Sequence, residues 1–263
     1  MKVVFWNIKT LNLDVVENLF ITENADVFLF CEDGALKKEE INHVVENKGY
    51  ILIETPGCNR ISAFCKKNYT IDLNIQNSFY TTFKISSSTE KTLYIVSLHL
   101  NSQMYNSIAE LGHFLSRLRN EIELNIGTSL NKEILIMGDF NVNPFDNAII
   151  GFNGFCATNS RKPPKYGKSI QEKKELFVNP TWELYSRKNY PGTKKFPRPS
   201  ATSFDIIDWH YLDQVIISQK LNDVITSEEI KILENISDYI LINDYGKISF
   251  SDHLPISYEF LRS

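Results

Sequence analysis

The segment 134–143 constrains the fold of this chain more than any other stretch. It reads Ile-Leu-Ile-Met-Gly-Asp-Phe-Asn-Val-Asn, an apolar run of strand length that brings Asp139 and Asn141 to its C-terminal end. Residues two apart on a strand point to the same side, so we expect these two polar side chains to lie together. Gly138 lets the backbone bend before the acid, and Pro144 ends the strand. The alternative is a hairpin turn in which Asp and Asn bond only local amides.

Other apolar runs also begin or end with residue types that bind hard cations or move protons. These residues are Asn7 in the run 2–8, Glu32 after 27–31, His99 after 93–98, Asp213 before 214–218, and Asp252 and His253 before 256–260. An isolated Asp-His pair is usually a surface feature, and each of these signals is weak alone. Their number matters, because six predicted strands each present a polar group at one end.

The set and its order resemble the endonuclease/exonuclease/phosphatase superfamily, which includes DNase I-like and exonuclease III-like metal-dependent phosphoesterases. The resemblance runs over nearly the whole chain, from Trp6-Asn7-Ile8 through Gly-Asp-Phe-Asn at 138–141 to Ser251-Asp252-His253. It implies an α/β (α+β) fold, a DNase I-like, four-layered sandwich of two packed mixed β-sheets flanked by helices. It also implies hydrolysis of a phosphoric ester.

Hydrophobic periodicity fits that architecture. Apolar residues recur every three or four positions from Ile108 to Ile122, which predicts a long amphipathic helix within 105–126. Further helices are predicted near 13–24 and 36–48, and strands around 50–54, 61–66, 71–75 and 79–85. No repeat or linker divides the 263 residues, and a chain of this length can bury one large core. We therefore expect a single domain over 1–263.

The resemblance implies a metal site and a catalytic centre. Asn7, Glu32 and Asp252 are the expected metal ligands, because oxygen donors suit Mg²⁺, with Mn²⁺ as a substitute. Asp139 is expected to orient or deprotonate the attacking water, and Asn141 to hold the phosphate. Asp213 is expected to hold one ring nitrogen of His253, which then stabilises the transition state as a positioned cation.

His99 has two interpretations. In DNase-like members a histidine at this position assists the leaving group, and a carboxylate from the preceding strands orients it. Here Asn59 stands in the place of that carboxylate, and a neutral amide would not raise the pKa of the histidine as a carboxylate would. His99 is therefore either a catalytic acid or a satisfied strand-end histidine. Arg60 and Asn101 are predicted substrate contacts.

The region at about 152–208 breaks the pattern of strands and helices. Between Arg161 and Arg198 it carries eleven Lys or Arg residues against three acids, with aromatic residues between them. A solvated loop is one interpretation, but long proline-rich connections inside a domain are usually functional or disordered. We expect a substrate-facing loop whose phosphate contacts and base stacking come from Lys165, Lys168, Lys173, Lys174 and Trp182.

Charge and hydropathy exclude several classes. A formal net charge of −4 excludes a uniformly basic nucleic-acid coat, and no apolar run is long enough for a transmembrane helix. The N-terminus enters a strand without a charged and then apolar leader, so we expect no secretion signal and a cytoplasmic location. The expected function is a Mg²⁺-dependent nuclease acting on DNA, with RNA left open. The alternatives are a phosphatase or phosphodiesterase for a small molecule, such as an inositol phosphate or phospholipid headgroup, and an inactive binding module.

Overall fold

A computed structural model describes residues 1–9, 12–32, 38–88, 91–162, 174–187, 191–196 and 207–263. Numbered along the chain, the strands are β1 (Lys2–Asn7), β2 (Val27–Cys31), β3 (Tyr50–Ile53), β4 (Ile61–Lys66), β5 (Thr70–Asn77), β6 (Tyr80–Ser86), β7 (Leu93–His99), β8 (Ile134–Asp139), β9 (Ala157–Thr158), β10 (Phe177–Val178), β11 (Lys194–Lys195), β12 (Trp209–His210), β13 (Asp213–Ser218), β14 (Ile225–Ile232), β15 (Asn235–Ile236), β16 (Tyr239–Ile240) and β17 (Ile256–Arg262). The helices are α1 (Leu13–Glu23), α2 (Lys38–Val45), α3 (Ile108–Asn125), α4 (Asn147–Ile150) and α5 (Gln219–Val224), with 3-10 helices at Glu46–Lys48 and Pro180–Ser186.

Two large mixed sheets form the centre of the fold. One has the strand order β14-β17-β1-β2-β4-β3 and the other β5-β6-β7-β8-β13-β10-β9. In each sheet one central pair is parallel, β1 with β2 and β7 with β8. These strands are apolar almost throughout because both of their faces are covered. One apolar cluster takes side chains such as Phe5 and Leu29 from the first sheet and Leu135 and Val215 from the second. The expected two-sheet, DNase I-like architecture is confirmed.

Helices cover the outer faces of the sheets. The predicted helix within 105–126 forms as α3 because Ser107 and Glu110 make a capping box at its start. Its buried face, which includes Leu111, Leu115 and Leu118, packs with Ile136 of β8 in a second apolar cluster. No helix in the ranges that the structure describes is long and apolar enough to cross a bilayer.

Strand register brings the predicted polar residues together. His99 of β7 lies opposite Asp139 of β8, and Asp139 lies opposite Asp213 of β13. In the first sheet, Asn7 ends β1 beside Cys31, the last residue of β2. The ends of these strands therefore meet at one edge of the sandwich.

A glycine is required at position 138 because the neighbouring strand packs closely against it, and not because the chain bends there. It lies inside β8 between Leu98 and Gln214, and a Cβ there would overlap the backbone of Leu98. We expect Gly138→Ala to lower the free energy of unfolding by about 1–3 kcal/mol, the usual effect of overpacking a core. Urea denaturation measures this loss.

Gly112 provides the matched control for that substitution. It lies in the middle of α3, where an added Cβ would lie 3.4 Å from the Ala148 Cα, an ordinary contact. Alanine also has the higher helix propensity, so Gly112→Ala should leave stability unchanged or raise it. Equal losses for the two variants would contradict the packing role of Gly138.

Candidate active site

A buried carboxylate lies at the centre of the site. Asp139 is 1% exposed, and its Oδ2 atom lies 4.0 Å from His99 Nε2 and 3.9 Å from His253 Nε2. Burial, together with the negative charge of Asp213, holds the pKa of Asp139 above its ordinary value. An acid in this position can accept a proton more readily than a solvated aspartate.

The chain turns immediately after Asp139. Asn141 adopts a left-handed conformation with φ of 53°, and its backbone N–H donates to Asp139 Oδ1 at 2.9 Å. Its side-chain amide donates to the Leu100 carbonyl at 2.8 Å. The strand ends at Asp139 as expected, and a local turn, rather than the side-chain alternation of a strand, brings Asn141 next to it.

The predicted Asp213–His253 pair is present. His253 Nδ1 lies 2.7 Å from Asp213 Oδ2, and Trp6 Nε1 donates to the His253 carbonyl at 2.9 Å. Burial by itself lowers the pKa of His253, but the charge and hydrogen bond of Asp213 and the charge of Asp139 outweigh it and hold that pKa above its ordinary value. The geometry places the imidazole with Nδ1 on Asp213 and Nε2 facing Asp139 at 3.9 Å.

His99 has a carboxylate partner that the sequence did not indicate. Glu32 Oε1 lies 3.0 Å from His99 Nε2, whereas Asn59 is exposed and only its neighbour Arg60 reaches this strand end, by donating to the His99 carbonyl at 3.4 Å. The hydrogen bond from His99 is the main reason that the pKa of Glu32 falls to about 2, against the opposing effect of burial. The expectation that Asn59 stands in place of the orienting carboxylate is therefore corrected.

Asn7 links the two halves of the site. Its Nδ2 donates to Asp139 Oδ2 at 2.9 Å and to Glu32 Oε1 at 3.3 Å. Its Oδ1 is buried and has no hydrogen-bond partner in the described part of the chain. A buried oxygen without a partner, next to an exposed edge of the Glu32 carboxylate, fits a hard cation such as Mg²⁺.

Asp252, the third expected ligand, contacts two lysines. Its Oδ2 lies 3.1 Å from Lys194 Nζ and 3.6 Å from Lys9 Nζ, and the charge of Lys194 helps to lower its pKa despite the opposing effect of burial. Ligand atoms of Asp139, Asp213 and His253 also lie within 4.8 Å of one another. Within that group Asp213 and His253 already bond each other, whereas Asn7, Glu32 and Asp252 offer further oxygen atoms that could hold a cation.

No protein-family profile and no curated protein matches this sequence, but solved structures match it over almost the full length. TDP2 from D. rerio, complexed with single strand DNA product, has a TM-score of 0.63 at 15% identity, over 98% of this chain and 98% of that chain. An endonuclease/exonuclease/phosphatase family protein from Bacteroides thetaiotaomicron has a TM-score of 0.62 at 15% identity, over 100% and 98%. This chain has the endonuclease/exonuclease/phosphatase fold. A mannosyl-6-phosphatase from the same bacterium shares this fold at a TM-score of 0.61 and 14% identity, over 99% of each chain.

A cavity opens beside His99 in this endonuclease/exonuclease/phosphatase fold. It encloses about 270 Å³. Its lining includes Phe79, Asn101, His113, Phe114 and Arg117. The Arg60 guanidinium lies over the Phe79 ring at 4.5 Å, and Asn101 Nδ2 donates to Asn106 Oδ1 at 2.9 Å. Asn101 thus lines this cavity, and Arg60 contacts the Phe79 ring that also lines it.

Of the five contacts expected from the basic region, Lys174 and Trp182 are among the described residues. Lys165, Lys168 and Lys173 lie outside the described residues. Lys174 donates to the Phe152 carbonyl at 2.8 Å and precedes β10, whose first residue pairs with Ser218. Ser218 lies at the far end of β13, about 17 Å from Asp213 at 3.3–3.4 Å per residue.

Trp182 is also separate from the Asp139 cluster. It lines a second cavity, of about 530 Å³, together with Phe152 and Leu176. Among the described residues of the basic region, Lys194 does reach the cluster, where its Nζ lies 2.9 Å from His253 Nε2. In the sequence, Lys194 is one of eleven Lys or Arg residues between Arg161 and Arg198, and no pattern distinguishes it from the others.

Proposed function

We propose that this chain is a metal-dependent phosphoric ester hydrolase. The observation that carries the proposal is the arrangement around Asp139, a buried carboxylate between two imidazoles that each have a carboxylate of their own. His253 is held by Asp213 at 2.7 Å and His99 by Glu32 at 3.0 Å. Groups whose environments are this different can divide the tasks of base and acid.

In the proposed reaction Asp139 orients and deprotonates the attacking water. Its raised pKa makes the carboxylate a better proton acceptor. His253 directs Nε2 at the same space and stabilises the charge that develops on the phosphoryl oxygens, while Asp213 keeps the ring oriented. Asn141, held by Leu100, is the proposed ligand for one of those oxygens.

His99 lies on the opposite side of Asp139 and protonates the leaving oxygen in the proposed reaction. Its Nε2 lies within hydrogen-bond distance of Glu32, which keeps the ring oriented until substrate binds. A divalent cation held by Asn7, Glu32 and Asp252 would neutralise charge on the phosphoryl oxygens. We propose Mg²⁺, with Mn²⁺ as a substitute, because all the donors are oxygen atoms.

For the substrate we propose a nucleic acid, DNA first. The cavity beside His99 combines the aromatic Phe79 and Phe114 with the cationic Arg117, and such side chains stack on bases and contact phosphates. The second candidate is a small phosphate ester, since one structural neighbour is named a mannosyl-6-phosphatase and one fold can serve many substrates. A binding module without activity is less consistent with a complete set of acid, base and cation ligands.

An activity screen separates these candidates. Supercoiled plasmid, single-stranded DNA, RNA, abasic duplex and inositol phosphates are each incubated with the protein and Mg²⁺. We expect cleavage of at least one polynucleotide. Turnover of the inositol phosphates alone would favour the second candidate, and turnover of none would favour the binding module.

The basic region gives a separate prediction. Replacing Lys165, Lys168, Lys173 and Lys174 by Glu should weaken nucleic-acid binding if these lysines contact phosphates at a distance from the centre. Each lost contact should reduce the slope of log affinity against log salt by about 0.9 on duplex DNA or about 0.7 on single strands. Fluorescence anisotropy at several salt concentrations measures the slope.

Hydrolysis of bis(p-nitrophenyl) phosphate is the control for that charge reversal. This short diester does not extend beyond the centre, so its turnover should change little in the same variant. An unchanged affinity and an unchanged salt slope would show that the four lysines belong to a solvated segment.

A further inference from the structure

A lysine of the basic region lies directly against the proposed catalytic histidine. Lys194 Nζ is 2.9 Å from His253 Nε2 and 3.1 Å from Asp252 Oδ2. Because His253 Nδ1 faces Asp213, Nε2 is the ring nitrogen that faces the reaction, and Asp139 Oδ2 lies 3.9 Å from it. The ammonium group therefore lies next to the atom that a phosphoryl oxygen has to approach.

The backbone around Lys194 is held from two sides. Lys194 pairs with His210 of β12 on one side and forms an isolated bridge with His253 on the other. A Cβ at Gly192 would lie 2.5 Å from the His210 carbonyl oxygen, so only glycine lets the chain approach β12 this closely. The side chain of Lys194 is 20% exposed. Strand pairing holds Lys194 at the site, whereas a lysine on a solvated loop would have no such backbone contacts.

The negative charge of the site also favours a cation at this position. Four carboxylates surround the reaction space, those of Glu32, Asp139, Asp213 and Asp252. A phosphate anion entering this space is repelled unless positive charge lies within a few ångströms. Lys194 has three N–H donors and uses two of them on Asp252 and His253.

We propose that Lys194 is a phosphate-binding residue of the active site. When substrate binds, its ammonium group moves from His253 Nε2 to a non-bridging phosphoryl oxygen while it stays anchored on Asp252. The same movement uncovers Nε2, so that this ring nitrogen faces the bound phosphate. The assignment rests on the proposed phosphoesterase function for the identity of its ligand, and it adds a specific contact from the basic region to the reacting group.

The neighbouring lysine is a natural control. Lys195 lies on the opposite face of β11, where its Nζ is 3.2 Å from Asp208 Oδ2 and 5.3 Å from the Trp209 ring. Lys194→Met and Lys195→Met remove the same charge from adjacent positions of one strand. Long-range electrostatics change almost equally in the two variants, whereas only the first loses a contact with the reacting phosphate.

Inorganic phosphate is the probe, and isothermal titration calorimetry in buffer with Mg²⁺ is the measurement. We expect Lys194→Met to weaken phosphate binding at least about tenfold, as for the loss of a charge-assisted hydrogen bond. Lys194→Arg should restore much of the affinity, since a guanidinium also binds phosphate. Lys195→Met should bind as the natural protein does.

Several results would overturn the assignment. They are the absence of phosphate binding by the natural protein, equal affinities for the natural protein and Lys194→Met, and equal losses in the two methionine variants. Lys194→Gln replaces Lys194→Met if thermal unfolding shows that the methionine variant does not fold. Because the titration needs no turnover, phosphate binding through Lys194 in a protein that hydrolyses no phosphate ester would support this assignment and contradict the proposed function.

Discussion

Asp139→Asn and His253→Ala are each expected to lower kcat by at least about a hundredfold. Asparagine keeps the shape of Asp139 and can still accept the hydrogen bond from Asn7 Nδ2, but it cannot accept a proton from water. Alanine at position 253 removes the imidazole that Asp213 orients at 2.7 Å. Initial rates on the substrate found in the screen measure both effects.

In a double variant, the losses in kcat of the two single variants should not multiply. In the proposed reaction Asp139 and His253 act in one step, and their nearest polar atoms lie 3.9 Å apart. The double variant should therefore be only slightly slower than the worse single variant. Asp72→Asn on β5 and His43→Ala in α2 change exposed residues of the same types and should keep full activity. Near-normal turnover in a folded Asp139→Asn protein would refute its role as the base.

Chelation is expected to abolish turnover without unfolding the protein. The proposed cation ligands lie at or next to strand ends, and none of them belongs to the apolar cluster between the two sheets. Excess EDTA should therefore remove activity while the far-UV circular dichroism spectrum is unchanged. Addition of Mg²⁺ or Mn²⁺ in excess should restore the activity.

Glu32→Gln supplies a matched variant for the metal prediction. It keeps the size of the side chain but removes the charge, so the Mg²⁺ concentration for half-maximal activity should rise at least about tenfold. Glu54→Gln, which changes an exposed glutamate paired with Lys38 at 3.3 Å, should leave it unchanged. Undiminished hydrolysis in excess EDTA would refute a metal requirement.

Local patterns predicted most of the regular structure. The helix within 105–126 and the strands around 61–66 and 134–139 formed where hydrophobic periodicity placed them. The strand that begins at Val27 ends at Cys31. The next residue, Glu32, has a φ of 53°, at which the chain leaves the strand direction. Short-range patterns determine such elements because side-chain direction repeats every two residues in a strand and every 3.6 in a helix.

Side-chain partners were less predictable than strand ends. The carboxylate that faces His99 is Glu32, from the other sheet, and sequence comparison with the DNase-like pattern pointed to Asn59 instead. Lys194 was one basic residue among many until β11 paired with β12 and bridged to His253. These contacts depend on how the sheets stack and on which loops return to the site, and no local periodicity encodes either.

The sequence by itself determined which polar residues lie at the ends of the central strands, among them Asn7, His99, Asp139 and Asp213. Burial of apolar runs leaves the ionisable side chains of the central strands at their ends, so that part follows from composition and period alone. Only the tertiary structure decided that Asp139 lies between His99 and His253, and that Lys194 contacts the latter. The physical reason is that these distances join residues 40 to 114 positions apart in the chain, and register and sheet packing alone bring such residues within about 4 Å of one another.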